Sequence, residues 1–228
     1  MEGPDDLEEY LRTARILDVS APPGSGAHPS YRVTLEGGVS TLAKPAHKAP
    51  EEGAAMVRYE VAGWAVARDM GWGDLVATTV LRSTDQFPEV EEDVETSLQV
   101  LWPQFTFMGD MAALSDDDVW RAAVLDVLSL HSDRGGNNWG TVPHFGAPRL
   151  KLIDHGYAFR AWPNRPFASA FADARKDQEI PEEHTESLSA FLDTEHPQLQ
   201  HDLLEPEVFE ELLERGRSLV ETGVLELP

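Results

Sequence analysis

The hydrophobic period of this chain changes once, near Pro103, and that change restricts the folds open to it. Upstream, "YRVTLEGG" alternates apolar and polar residues, the period of a half-buried strand. Gly37-Gly38 supplies a tight hairpin turn, and "VSTLAKP" returns as a partner strand ended by Pro45. "RILDVSA" before this pair, and "DLVATTVLR" and "TSLQVLWP" after it, read as further strands. A short acidic helix over residues 4–12 precedes them, with Asp5, Asp6, Glu8 and Glu9 suited to its positive end. One main helix interrupts the strands, from about Ala54 to Met70. Its apolar positions Val57, Val61, Trp64 and Ala65 recur at helical spacing, and Gly71 and Gly73 stop it. The acidic stretch 83–96 is expected to be exposed. Downstream of Pro103 the pattern is helical: "DDDVWRAAVLDVLSLH", then segments near 182–193 and 206–222, with "RLKLIDHG" as a strand between them. The expected class is α+β, a β-rich half with one main helix followed by a mostly helical half.

At 228 residues the chain suits one domain or two lobes sharing a cleft. It carries 18 basic against 41 acidic residues, a formal net charge of −23, which opposes binding to nucleic acid or to an anionic membrane surface. With no cysteine, disulfides and thiolate chemistry are excluded. No apolar run approaches the ~18 residues of a membrane span, and the N-terminus "MEGPDDLEEYLRT" lacks the apolar core of a signal peptide, so no integral membrane contact and a cytoplasmic location are expected. No H-E-x-x-H spacing occurs, and no structural zinc is expected. His184, His196 and His201 lie in polar segments and are expected to be solvated. Trp64, Trp120 and Trp139 read as core. Trp72, Trp102 and Trp162, each beside Gly or Pro, read as the rim of a cleft.

Two polar loops stand out against apolar flanks. "LHSDRGGNNW" places Asp133 five residues before Asn138, and sixteen residues later comes Asp154 in "LKLIDHGYAF". Carboxylate and amide oxygens are hard ligands of the kind Mg²⁺ takes. An Asp that orients a hydroxyl, an Asn that holds a metal and a strand-end Asp that holds a metal bridging phosphates form the minimum set for phosphoryl transfer, where catalysis is mostly positioning and charge neutralisation. Upstream, Lys44 at the end of a strand suits a phosphate contact, Glu60 in the main helix suits its partner, and the glycines of "GSGAHPS" let backbone amides approach an anion.

The stretches "SYRVTLEGGVSTLAKP", "VRYEVAGWAVARDMGWGDLVATTVLR", "HSDRGGNNWG" and "LKLIDHGYAF" together resemble the phosphatidylinositol 3-/4-kinase-like branch of the protein-kinase-like fold, including its small bacterial members. The resemblance implies a single two-lobed kinase-like domain over 1–228, with the N-lobe at 1–101 and the C-lobe at 102–228. It implies ATP and Mg²⁺ as cofactors and a hydroxyl acceptor, protein or small molecule. Lys44 would hold the phosphates and pair with Glu60; Asp133 would be the catalytic Asp; Asn138 and Asp154 would bind Mg²⁺. Gly24, Gly26 and Ser30 would cover the phosphates. Leu98 to Leu101, with Gln99 and Leu101, would form the hinge against adenine. Against the negative mean field, Lys44, Arg134 and Mg²⁺ are the expected local cations. Two departures stand in the loop: Gly135 where the branch often carries His, and Asn137 where Gly is common. The chain also lacks the Ala-Pro-Glu signature of ordinary protein kinases. A partner-binding pseudokinase and a kinase-fold AMP transferase are the alternatives.

Overall fold

The computed structural model describes residues 4–20, 30–46, 50–84, 86–87, 94–107, 109–145 and 147–228. Helix α1 (Pro4–Thr13) leads into β1 (Ile16–Ser20), β2 (Tyr31–Leu35) and β3 (Ser40–Pro45). The long helix α2 (Pro50–Asp69) follows, then β4 (Thr79–Thr84) and β5 (Val94–Val100). These strands make one antiparallel sheet in the order β1-β2-β3-β5-β4, so the strand bearing Lys44 is central. The period-2 pattern sets the faces. Ala43 and its cross-strand partner Leu98 enter a core with Val33, Leu35, Val80 and Leu11 of α1, which turns Lys44 and Ser97 to the opposite face, where α2 lies.

The second half carries β6 (Thr106–Phe107), α3 (Asp116–Leu128), β7 (Trp139–Val142), β8 (Arg149–Leu152), α4 (Ala170–Arg175), α5 (Glu182–Leu192) and α6 (Pro206–Thr222). Strands β6, β7 and β8 form a small antiparallel sheet. The Ser115 hydroxyl caps α3 by accepting from Asp118 N at 3.1 Å, and three acids fill the first turn. Gly223 at φ 64° ends α6 in the left-handed conformation. The larger core runs from α2 through α3 to α6, so α2 is bound into both halves.

Helix α2 is braced at three places. The buried carboxylate of Glu8 on α1 accepts from Trp64 Nε1 at 2.9 Å and from Arg68 Nη1 at 2.8 Å. The Tyr59 hydroxyl donates to Glu205 at 2.8 Å, just ahead of α6. His196 lies 2.8 Å from Asp69. The C-terminal segment, which matches no familiar pattern, therefore holds the helix that carries Glu60.

Several expectations are corrected. Residues 74–78 are a turn and an isolated bridge instead of the first half of β4, with Leu75, Val76 and Ala77 buried, because Leu152 N of β8 donates to Leu75 O at 2.9 Å and closes this segment onto the second sheet. The stretch 83–96 is not uniformly exposed: Thr96 is buried within β5, and Phe87 is buried with its ring centroid 5.2 Å from that of Tyr31. Glu8, read as one of the acids at the positive end of α1, is also the buried link just described. His184 and His196 are buried, as are Trp72 and Trp162; of the three expected rim tryptophans only Trp102 is half-buried. None of the helices among the described residues is long and apolar enough to cross a membrane.

Candidate active site

Between the two halves, three of the sequence-selected groups converge. Lys44 Nζ donates to Glu60 Oε1 and, at 2.9 Å, to Asp154 Oδ1. The other Glu60 oxygen accepts from His155 N at 2.9 Å, so the same carboxylate ties α2 both to β3 and to the loop after β8. Burial alone would push the Lys44 ammonium down, but Asp154 and Glu60 outweigh it and hold its pKa well above the ordinary value. In return the Lys44 charge, with its hydrogen bond, holds the Asp154 carboxyl well below the usual carboxylate range. Asp154 takes φ 60°, a left-handed backbone uncommon for a non-glycine residue, and the neighbouring bonds keep it there.

The facing loop follows α3. Its Asp133 side chain is about half exposed and has Arg165 Nη1 3.6 Å from Oδ2. Asn138 Nδ2 donates to Asp133 O at 2.6 Å, which closes the loop on itself and leaves Oδ1 as the amide atom free to act as a ligand. Two histidines join this loop to the Asp154 segment. Asp133 N donates to His131 Nδ1 at 3.2 Å, so the ring proton lies on Nε2, which donates to Asp154 O at 3.1 Å. Burial, reinforced by the Arg134 charge, holds both His131 and His155 well below the ordinary histidine value.

Arg134 is fully buried and is not a phosphate cation. Nε contacts Asp126 of α3 at 3.1 Å, and Nη1 donates at 2.6 Å to both Asn138 O and Ile153 O. Nη2 lies 3.0 Å from His155 Nε2. Asp126 also accepts from Ser169 Oγ at 2.7 Å. One guanidinium therefore bridges the backbones carrying Asn138 and Asp154, beside the direct bond from Ile153 N to Asn138 O at 3.1 Å. Sequence reading missed this role, and missed His131, His155, Asp126 and Arg165. The available signals were a charged residue inside the otherwise apolar last turns of α3 and histidines close to both Asp133 and Asp154.

The remaining residues divide. Gln99 and Leu101 lie on β5 and just past it. Gln99 is in mid-sheet, with its side chain donating to Thr79 Oγ1 at 3.3 Å, and Leu101 N donates to Ser40 O at 3.1 Å. Those groups are engaged within the protein. Gly24 and Gly26 lie outside the described residues; Ser30 is half-buried at the entrance to β2.

Two consequences follow from this packing. A Cβ added at Gly63 of α2 would lie 2.5 Å from the His155 ring. Gly63→Ala is expected to push α2 away from the Asp154 segment and to lower stability by about 1–3 kcal/mol, read from the urea midpoint. The second concerns acid. His131 and His155 are buried neutral, whereas in the unfolded chain they protonate near pH ~6.5. Below that value the unfolded state binds more protons, so stability falls as pH falls. The melting temperature is expected to drop between pH 7 and pH 5; an unchanged value would contradict the neutral assignment.

No family model and no curated protein matches the chain by sequence. The fold does match solved structures. A Golgi casein kinase aligns with a TM-score of 0.69 over 97% of this chain and 75% of that chain, at 15% identity. The Golgi casein kinase with Mn/ADP bound gives 0.67 over 98% and 75%, also at 15% identity. The Helicobacter pylori proinflammatory kinase CtkA gives 0.51 over 94% of each chain at 11% identity. The chain therefore has a kinase-like α+β fold: a five-stranded antiparallel N-terminal sheet with one main helix, then a helical C-terminal portion.

Proposed function

We propose that this kinase-like chain is an ATP- and Mg²⁺-dependent phosphotransferase of the phosphatidylinositol 3-/4-kinase-like branch, transferring the γ-phosphoryl group to a hydroxyl acceptor. The observation that carries the reading is Lys44, held between Glu60 and Asp154, with Asp133 and Asn138 on the facing loop. The donor set fits the metal. Asp154 is ionised and Asn138 Oδ1 is free, both hard oxygens of the kind Mg²⁺ accepts. When bound, Mg²⁺ neutralises charge on the phosphate oxygens.

The chain's own residues supply the rest. Lys44 is kept charged and aimed by its two acids, ready to pair with phosphate as Asp154 turns to the metal. Asp133 orients the acceptor hydroxyl and takes its proton. Arg165, placed by a turn in which Pro163 and Asn164 (φ 62°) precede it, keeps a cation beside that carboxylate. Gly24, Gly26 and Ser30 would cover the phosphates. With Leu101 N engaged by Ser40, the adenine edge would be read by the Leu101 carbonyl and the backbone beyond it.

The test is the intact mass of the protein after incubation with MgATP, together with ATP consumption. A phosphate gain supports the reading. An AMP gain would redirect it to nucleotidyl transfer, and no gain with no ATP consumed would leave a pseudokinase.

A further inference from the structure

Away from the candidate active site, the first turns of α3 and α5 lie side by side. Asp117 belongs to the first and Glu183 and His184 to the second. One ligand atom from each of the three lies within 4.8 Å of the others. A group of exposed acids is ordinary on a chain this negative. The histidine is not ordinary. Its side chain is only 3% exposed, and Nε2 is buried without a hydrogen-bond partner among the described residues. That nitrogen lies 3.7 Å from Asp117 Oδ1, too far for a hydrogen bond. The ring packs edge-on to Trp72 at 5.7 Å, which fixes its direction. A buried polar atom left unpaired costs about 1–3 kcal/mol, so an unexplained one aimed at two carboxylates calls for a partner.

We propose that Asp117, Glu183 and His184 bind a divalent transition-metal ion of the zinc class that staples α3 to α5. One imidazole nitrogen and two carboxylate oxygens suit such an ion, with water completing the shell, whereas Mg²⁺ and Ca²⁺ prefer oxygen alone. Bond lengths of about 2.0–2.2 Å require the ligand atoms to draw closer than they stand, and the exposed Glu183 and Asp117 side chains are free to swing in. Burial holds the His184 imidazole below its ordinary value, so it is unprotonated at neutral pH. Arg121 contacts Asp117 through Oδ2 at 3.0 Å and leaves Oδ1 free; its own charge is offset by Asp74 and Asp118. Sequence spacing could not reveal this site, because its two halves lie on separate helices. It is independent of the phosphotransferase reading.

The experiment uses Zn²⁺ alone, titrated by calorimetry into the full chain after chelator treatment, in the wild type and in an Asp154→Ala background that disables the candidate active-site metal ligand. Expected are one ion per chain in both, a melting temperature that rises with Zn²⁺, and affinity at least tenfold weaker in His184→Gln and in Asp117→Asn. Asp117 is exposed, so its variant decides if the His184 variant does not fold. Co²⁺ should give a visible d–d absorption that both substitutions remove. No Zn²⁺ uptake by the wild type, or uptake unchanged by Asp117→Asn, would overturn the site.

Discussion

Asp133→Asn is expected to leave MgATP affinity within about threefold of wild type while phosphoryl transfer falls by ~10²–10⁴-fold. The asymmetry follows from placement. Asp133 makes no hydrogen bond or ion pair with Lys44, Glu60 or Asp154; its side chain is half exposed, beside Arg165. Its backbone, however, is tightly held, with the carbonyl accepting from Asn138 and the N–H donating to His131. Asparagine keeps that backbone and the side-chain shape and removes only the proton acceptor. Nucleotide binding and transfer should therefore separate, with single-turnover rates and calorimetry as the two readouts. Full turnover in the variant would remove Asp133 from its assigned role.

The largest stability effect is expected at Asp126. Asp126→Ala leaves the Arg134 guanidinium buried without its countercharge, a loss of about 3–5 kcal/mol. Arg134 cannot escape to water, because its other nitrogens hold Asn138 O, Ile153 O and His155. A domain of this kind has about 5–15 kcal/mol in total, so the variant should sit near the edge of folding. Asp126→Leu combined with Arg134→Met removes both charges and should be less destabilised than Asp126→Ala, as replacing a whole buried ion pair often is. Urea unfolding of the single and double variants decides this. The double variant should still lose nucleotide affinity, since the guanidinium bonds to Asn138 O and Ile153 O are then gone.

What could be read from sequence divides along physical lines. Strand and helix identities were legible where alternation and helical spacing are local: β2, β3, α2 and α3 lie where their patterns put them. Lys44, Glu60 and Asp154 could be picked out because phosphoryl transfer would need those residue types in that order, and the fold brings the three side chains together. What failed was anything decided by distant partners. Trp72 and Trp162 adjoin Gly or Pro and His184 and His196 lie in polar segments, yet all four are buried by elements far along the chain. Leu75 to Ala77 read as strand until β8 closes on them. Arg134 looked like a cation for phosphate because nothing in "DRGGNN" reveals Asp126 on the preceding helix. Two-residue β6 and six-residue α4 are too short to carry a period.

The central claim is that Asp154 and Asn138 present a metal to a nucleotide held by Lys44. Calorimetric titration of ATP, with and without Mg²⁺, into wild type and Asp154→Ala tests it most directly. Expected is one-site binding by the wild type only when Mg²⁺ is present, and none by the variant under either condition. Equal ATP binding with and without Mg²⁺, or binding unchanged in Asp154→Ala, would contradict it.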